Sequence, residues 1–358
     1  MAARTWRFSR TVRHRGLTAA GIVVALATFS ACTSPPQTAP TSTDLTNSPS
    51  RKDAKRNVET NKDSDALNRA GFPLPPEARL DRAGIPPAQE EATLSWAGSL
   101  RPDNATAEER VPEIFKRGRI IVGVDQAQNL LSFRDTTTGE LKGFEVDLAR
   151  EISRDIFGDP NRVDFRFVES SMRTEFLENN DVDIVVRTMS VTKERLDKVQ
   201  FSTPYLSSSV RLMVPKSQDV DGLAGLEPGA TICVAGGTSV LDVARREAPT
   251  HPILRTRTWP DCLMALQQFQ VGAIMSDETI LAGSAVQDPL TRISEESYGA
   301  EQIYAVGIAK GNDGLVRQVN STIERIRSDG TWDTMFSTWL GPHIANRPTP
   351  PARYREED

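Results

Sequence analysis

The chain has 358 residues, 38% of them hydrophobic and 25% charged, with a formal net charge of -5 at neutral pH. That length buries a sizeable core, in one large domain or two lobes, and the charge gives no reason to expect a nucleic-acid partner. Three His and three Cys, scattered along the chain, are too few for a metal cluster, and no cofactor is implied.

The first residues are basic, through Arg4, Arg7, Arg10, Arg13 and Arg15, and residues 17–29 are apolar apart from a few small ones. That stretch is short for a bilayer span and ends in small residues, so residues 1–31 read as a cleaved signal peptide. Phe29-Ser30-Ala31-Cys32 resembles a bacterial lipobox, with Phe29 where Leu is usual. The competing reading is a signal peptide with an incidental Cys. A lipidated Cys32 would hold an exported protein at the outer face of the cell membrane, each buried methylene contributing about 0.8 kcal/mol. Residues 32–105 are expected to be the lipidated Cys and a mostly disordered tether. Up to residue 60 they are rich in Thr, Ser, Pro and charge. Beyond it Phe72, Leu74, Leu80, Ile85, Leu94, Trp96 and Leu100 are interrupted by Pro and charge, and no independent fold is assigned.

Regular structure is expected from about Val111. Residues 119–124 read as a buried strand. Phe144, Leu148, Ile152 and Ile156 recur every fourth residue as a helical stripe, stopped by Gly158-Asp159-Pro160. Val163, Phe165 and Phe167 alternate as a strand, and a helix near 173–179 leads into a strand at 183–186. After a break near Pro215 the pattern repeats. Residues 230–234 form a strand that Gly236-Gly237 turns into a helix from about Ser239. A second helix follows Trp259-Pro260, and 271–274 is a further strand. From Ala305 a strand precedes a helix with the stripe Val316, Val319, Ile323 and Ile326, and Trp332, Phe336 and Trp339 close the domain. The tail, 342–358, is expected to be disordered. Strands alternating with helices imply α/β structure with mainly parallel sheets, and a ligand beyond the strands' carboxyl ends.

Several segments resemble the bacterial family 3 extracellular solute-binding proteins, which bind polar amino acids. They are Gly143-Phe-Glu-Val-Asp-Leu148, Met189-Ser-Val-Thr-Lys-Glu-Arg195, Val199-Gln-Phe-Ser-Thr-Pro-Tyr205, Gly236-Gly-Thr-Ser239 and the 330–339 helix. Thr188-Met-Ser190, the Cys233 strand and Trp259-Pro-Asp-Cys262 are similar to actinobacterial glutamine/glutamate-binding lipoproteins. The resemblance implies a two-lobed, periplasmic-binding-protein-like fold of type II with a two-crossing hinge. Lobe 1 would span 106–210 and return over 305–341, with lobe 2 at 211–304.

A free amino acid carries a carboxylate and an ammonium, and both need charge-assisted hydrogen bonds once dehydrated. The resemblance places Arg195 on the carboxylate, helped by backbone N–H groups at Ser190 and Ser239; the alternative is a surface Arg beside Glu194. Asp277 is the candidate for the ammonium, and a helix N-cap is its competing role. The Ser190 hydroxyl and the Thr188 carbonyl would complete the ammonium shell. Gln128 and Ser170 or Ser171 stand where many relatives carry clamping aromatics. Arg173 and Arg187 near the pocket would favour a ligand with a side-chain carboxylate, hence glutamate or aspartate over glutamine, unless Arg173 belongs to a solvated helix face. Asp125 and Thr238 complete the candidate binding set. Cys233 and Cys262 read as a disulfide rather than two buried thiols in an exported protein.

The expected function is amino-acid capture without catalysis, serving an ABC permease or a membrane-bound sensor. The rival is an enzyme on the same fold, such as a cyclic-acid dehydratase with Glu278 as general acid. A cell-wall lyase would need a catalytic domain after the last helix, where only a short tail follows Gly341.

Overall fold

The computed structural model describes residues 72–88, 96–345 and 348–356. The expected signal peptide, Cys32 and most of the expected tether, together with Leu94, lie outside the described residues. In chain order the first elements are β1 (Arg79–Asp81), α1 (Ala107–Arg110), α2 (Pro112–Arg117) and β2 (Ile120–Val124). Then come β3 (Ala127–Gln128), β4 (Ser132–Arg134), β5 (Leu141–Lys142), α3 (Phe144–Phe157) and β6 (Val163–Phe167). They are followed by α4 (Arg173–Glu178), β7 (Ile184–Val185), α5 (Lys193–Lys198), β8 (Val199–Phe201) and β9 (Leu206–Pro215). The second half holds β10 (Ile232–Ala235), α6 (Val240–Glu247), β11 (Ile253–Thr256), α7 (Trp259–Gln267), β12 (Ala273–Asp277) and α8 (Glu278–Gln287). It ends with β13 (Thr291–Ile293), β14 (Tyr298–Tyr304), β15 (Gly307–Ala309), α9 (Asp313–Ser328) and α10 (Thr331–Trp339).

Two sheets make two lobes. Lobe 1 carries the order β6-β2-β7-β15-β8, and lobe 2 the order β1-β11-β10-β12-β9-β13 with β14 paired to β9. Sequence reasoning expects mainly parallel sheets, and the sheets are mixed. The strands feeding helices, β6-β2-β7 and β11-β10-β12, are parallel. The crossing strands β9 and β14, and strands β1, β8, β13 and β15, pair antiparallel. A crossing strand turns back without a helical crossover, so antiparallel pairing is its natural partner arrangement.

The helix stripes fall where their spacing puts them. Phe144, Leu148, Ile152 and Ile156 are buried, and Gly158, left-handed at φ 72°, ends α3 by returning its N–H to the Arg154 carbonyl. Val316, Val319, Ile323 and Ile326 are buried on α9, which packs against α3. Trp332 stacks on Phe336 and meets Phe144 edge-on, while its indole N–H donates to the Tyr205 carbonyl at 2.8 Å. Burying each such side chain contributes about 1.5–3 kcal/mol.

The lobes are joined by β9 and β14, whose register runs from Tyr298↔Val210 to Tyr304↔Leu206. At their base the Tyr205 N–H donates to the Tyr304 carbonyl at 2.9 Å, and Ser202 and Val306 exchange two further bonds. Among the described residues no helix is long and apolar enough to cross a membrane.

The described parts of the expected tether and tail, residues 72–88, 96–105 and 348–356, lie against the lobes. β1 extends the lobe 2 sheet through Leu80↔Leu254, and buried Asp81 receives Arg245 at 2.8 Å and Arg255 at 2.7 Å. Trp96 and Leu100 are buried on lobe 1, where Ser99 donates to the Phe201 carbonyl at 2.7 Å. The tail lies alongside, with the Arg353 guanidinium 5.4 Å from the Trp96 ring centre and the Arg355 N–H bonded to the Ser99 carbonyl at 2.9 Å. These segments lack an apolar period because they are held by backbone pairing, ion pairs and cation–π contacts, which leave no periodic trace.

Cys233 of β10 and Cys262 of α7 form a disulfide 29 residues apart. Closing that loop contributes roughly 3–4 kcal/mol in the chain-entropy account. The double variant Cys233→Ser, Cys262→Ser is therefore expected to lose roughly that much unfolding free energy in urea titration; an unchanged midpoint would contradict the assignment.

Candidate functional site

The parallel strands end on the cleft between the lobes, and the loops after them carry the predicted residues. Asp125 follows β2, Ser170 and Arg173 follow β6, and Arg187, Thr188 and Ser190 follow β7. From lobe 2 come Gly237, Thr238 and Ser239 after β10, and Asp277 at the end of β12. Parallel-sheet proteins place ligands beyond the strands' carboxyl ends in this way.

The cleft is closed. The Gly237 carbonyl of lobe 2 accepts from two guanidinium groups of lobe 1, Arg173 Nη2 at 3.0 Å and Arg195 Nη2 at 3.2 Å. Ser239 Oγ lies 3.3 Å from Ser190 Oγ, and Asn129 donates to the Gly283 carbonyl at 3.3 Å. Gly237 has φ 70°, and a Cβ there would stand 2.6 Å from Ser171 Cα. Glycine is what allows the lobes this close approach.

Arg195 sits on α5 and turns onto backbone, donating to the Ser190 carbonyl at 2.7 Å as well as to Gly237. Burial pulls its guanidinium down to about 10, with Glu194 and Asp277 acting against that shift. It stays charged at neutral pH. Arg173 is buried rather than on a solvated helix face. It donates to the carbonyls of Ser170 (2.8 Å), Arg187 (3.1 Å) and Thr188 (3.0 Å) besides Gly237. Burial, and then the neighbouring Arg195 and Arg187, hold its pKa well below the ordinary arginine value. Among the described residues no carboxylate pairs with Arg173 or Arg195.

Arg187 departs from its expected role. It is ion-paired with Asp125 and donates to Ser170 Oγ at 2.5 Å. The other Asp125 oxygen accepts the Gln126 and Ala127 N–H groups at 2.7 and 2.9 Å. Arg187 and Asp125 thus pair with one another, while the buried Arg187 Nε has no hydrogen-bond partner. The Thr188 carbonyl is likewise occupied by Arg173, and the Thr238 hydroxyl donates to the Ala235 carbonyl at 2.7 Å. Ser239 Oγ donates to Gln302 at 2.8 Å, and Gln128 is buried on β3.

Asp277 stands at the N-cap position of α8 but makes no capping bond with its side chain. It is 4% exposed, it accepts from the Tyr304 hydroxyl, and its Oδ1 has no hydrogen-bond partner. Burial pushes its carboxyl up to about 6, against the hydrogen bond from Tyr304 and the charges of Arg173 and Arg195. Glu278, the acid considered for catalysis, is ion-paired with Arg211 at 3.3 Å.

Sequence reasoning missed Glu145, Tyr205 and Tyr304. All three are buried, Glu145 with one carboxylate oxygen unpartnered. A Glu in the first turn of a helix looks like a complement to the helix dipole. Its position beside the Phe144 stripe, four residues before buried Ala149, is the one signal that it faces inward.

The sequence profile of the bacterial extracellular solute-binding proteins, family 3, matches residues 120–342. The ABC transporter glutamine-binding protein of Bacillus subtilis is 28% identical over 222 residues, 62% of this chain and 81% of its own. The glutamate-binding protein of Corynebacterium efficiens is 27% identical over 237 residues, 63% of this chain and 80% of its own. A solved receptor for L-cysteine from Neisseria gonorrhoeae aligns with TM-score 0.62 at 25% identity, covering 68% of this chain and 98% of its own. With its two lobes, two crossing strands and a cleft lined from both sides, the chain belongs to the bacterial extracellular solute-binding proteins, family 3, and has their type II fold.

Proposed function

We propose that this chain captures glutamate or aspartate between its lobes, without catalysis, and presents the closed form to an ABC importer. The observation that carries the reading is the charge left over in the cleft. Arg173 and Arg195 have no carboxylate partner among the described residues, and Asp277 Oδ1 has no donor. A buried charge without a partner is costly. An acidic amino acid brings two carboxylates for two guanidinium groups and one ammonium for one carboxylate. In that arrangement Arg195 takes the main-chain carboxylate, Asp277 the ammonium, and Arg173 the side-chain carboxylate, with Ser190, Ser239 and Gln128 at the rim. Glutamine would leave Arg173 facing a neutral amide.

Relatives named for glutamine and for glutamate binding support amino-acid capture, and the word transporter in one of those names supports delivery to an importer. A membrane-bound sensor would read the same closed form. A lipid on Cys32 would hold the domain at the outer face of the membrane, where either partner is within reach.

Calorimetric titration with the twenty amino acids is expected to give heat with glutamate and aspartate. Arg195→Ala should weaken that binding by about a hundredfold or more, as removal of one partner of a buried charge pair does. Arg173→Gln should shift preference toward glutamine. No binding by the parent would sink the reading, and glutamine binding far more tightly than glutamate would sink the acidic preference.

Asp277 gives a second test through its proton. Its folded pKa near 6 lies above the ordinary 3.8, so its proton favours the folded, ligand-free protein. That contribution is complete below about pH 4 and is lost as pH rises through about 6. A bound ammonium favours the ionised form, so binding at about pH 5 should release close to one proton and binding at about pH 8 none from this group. Titration in buffers of different ionisation enthalpy reads that number. Equal release at both pH values, or release that survives Asp277→Asn, would contradict the placement of the ammonium.

A further inference from the structure

Glu145 opens α3 but is fully buried. Its Oε1 accepts from two donors, the Thr188 backbone N–H and the Tyr205 hydroxyl, the latter at 2.6 Å. Its Oε2 has no partner. An apolar side chain would fill this place without the cost of burying a carboxyl, so the two bonds it makes are where its use lies.

Those bonds reach the loop that carries Ser190 and the strand that crosses between the lobes. Thr188 begins the loop that carries Ser190, and its backbone sits at φ 38°, a region that a β-branched residue rarely adopts. Its N–H is fixed by Glu145 and its carbonyl by Arg173. Tyr205 stands where the chain leaves lobe 1 for lobe 2. Its N–H is on Tyr304, its ring packs against Phe144 and Tyr304, and its hydroxyl is on Glu145. Tyr304 in turn donates to Asp277. Besides the bonded Tyr205, the charged and titratable groups facing Glu145 are Arg187 and Asp125, already paired with each other, with Arg173 and Tyr304 beyond them.

We infer that Glu145 is a positioning residue that couples the ligand loop at Thr188 to the hinge crossing at Tyr205, so that loop geometry and lobe closure hold or fail together. The inference rests on the amino-acid-capture reading. One carboxylate oxygen is shared by a loop donor and a hinge donor, so displacement of either strands the other beside a buried acid. Burial already raises that carboxyl above the usual glutamate range, and a lost donor would raise it further. The closed form is thereby held by a group that does not touch the ligand.

The test uses the full chain as parent, Glu145→Ala, Glu145→Gln and Tyr205→Phe. It measures glutamate association and dissociation rates by stopped-flow tryptophan fluorescence, and melting of the ligand-free protein. Glu145→Ala should release glutamate at least about tenfold faster with association changed less than about twofold, since a lost closure contact acts on the off-rate. Glu145→Gln keeps an acceptor oxygen and should recover most of the slow release. Tyr205→Phe removes only the hinge donor and should release faster than the parent; it carries the test if Glu145→Ala does not fold. Parent-like rates in Tyr205→Phe, or in a folded Glu145→Ala that merely melts lower, would overturn the coupling and leave the carboxyl a structural group. A parent that binds no amino acid would overturn the capture reading and this inference with it.

Discussion

The Gly237 carbonyl accepts two guanidinium groups from the opposite lobe, and most of the site depends on that convergence. A neutral carbonyl satisfies donors but does not balance charge. Arg173 and Arg195 therefore meet lobe 2 as cations still in need of anions, Arg173 buried and Arg195 partly exposed. Asp277 meets them from the other side with one oxygen bonded to Tyr304 and the other bare. In a low-dielectric cleft such unpaired groups interact strongly with whatever enters.

The scaffold makes that convergence repeatable. Helix-feeding strands in both sheets run parallel and end at the cleft, and the β9–β14 pair joins the lobes as two adjacent crossings. A hinge of two paired strands permits rotation of one lobe on the other while keeping the loops in register. Around it, Asn320 bonds to the Thr203 N–H at 2.7 Å and to Ser99 Oγ at 2.8 Å, and Arg353 reaches Thr203 Oγ1 at 2.9 Å. Ser99 and Arg353 therefore brace the base of the crossing on the lobe 1 side. The disulfide does the same for lobe 2 by fixing α7 to the central strand β10.

Much of this is legible in the amino-acid sequence wherever a periodic apolar pattern or a local charge motif exists. The four-residue spacing of Phe144 to Ile156 places α3, and Met189-Ser-Val-Thr-Lys-Glu-Arg195 brings Arg195 to the cleft. What escapes is pairing between distant residues. Arg187 and Asp125 are 62 positions apart, so nothing local reveals that they neutralise each other. The buried face of Glu145 is hidden by a plausible surface role in the first helical turn. Edge strand β1 is held by register and ion pairs, and the tail at Tyr354 by a backbone bridge and cation–π contacts, rather than by apolar period, so their Pro- and charge-rich composition points the wrong way.

The central claim is that a zwitterion completes the cleft between Arg195 and Asp277. A crystal structure grown with glutamate tests it most directly. The account predicts the ligand's main-chain carboxylate on Arg195, its ammonium on Asp277 Oδ1 and its side-chain carboxylate against Arg173. Glutamate bound elsewhere, or in the cleft with its ammonium away from Asp277, would contradict it.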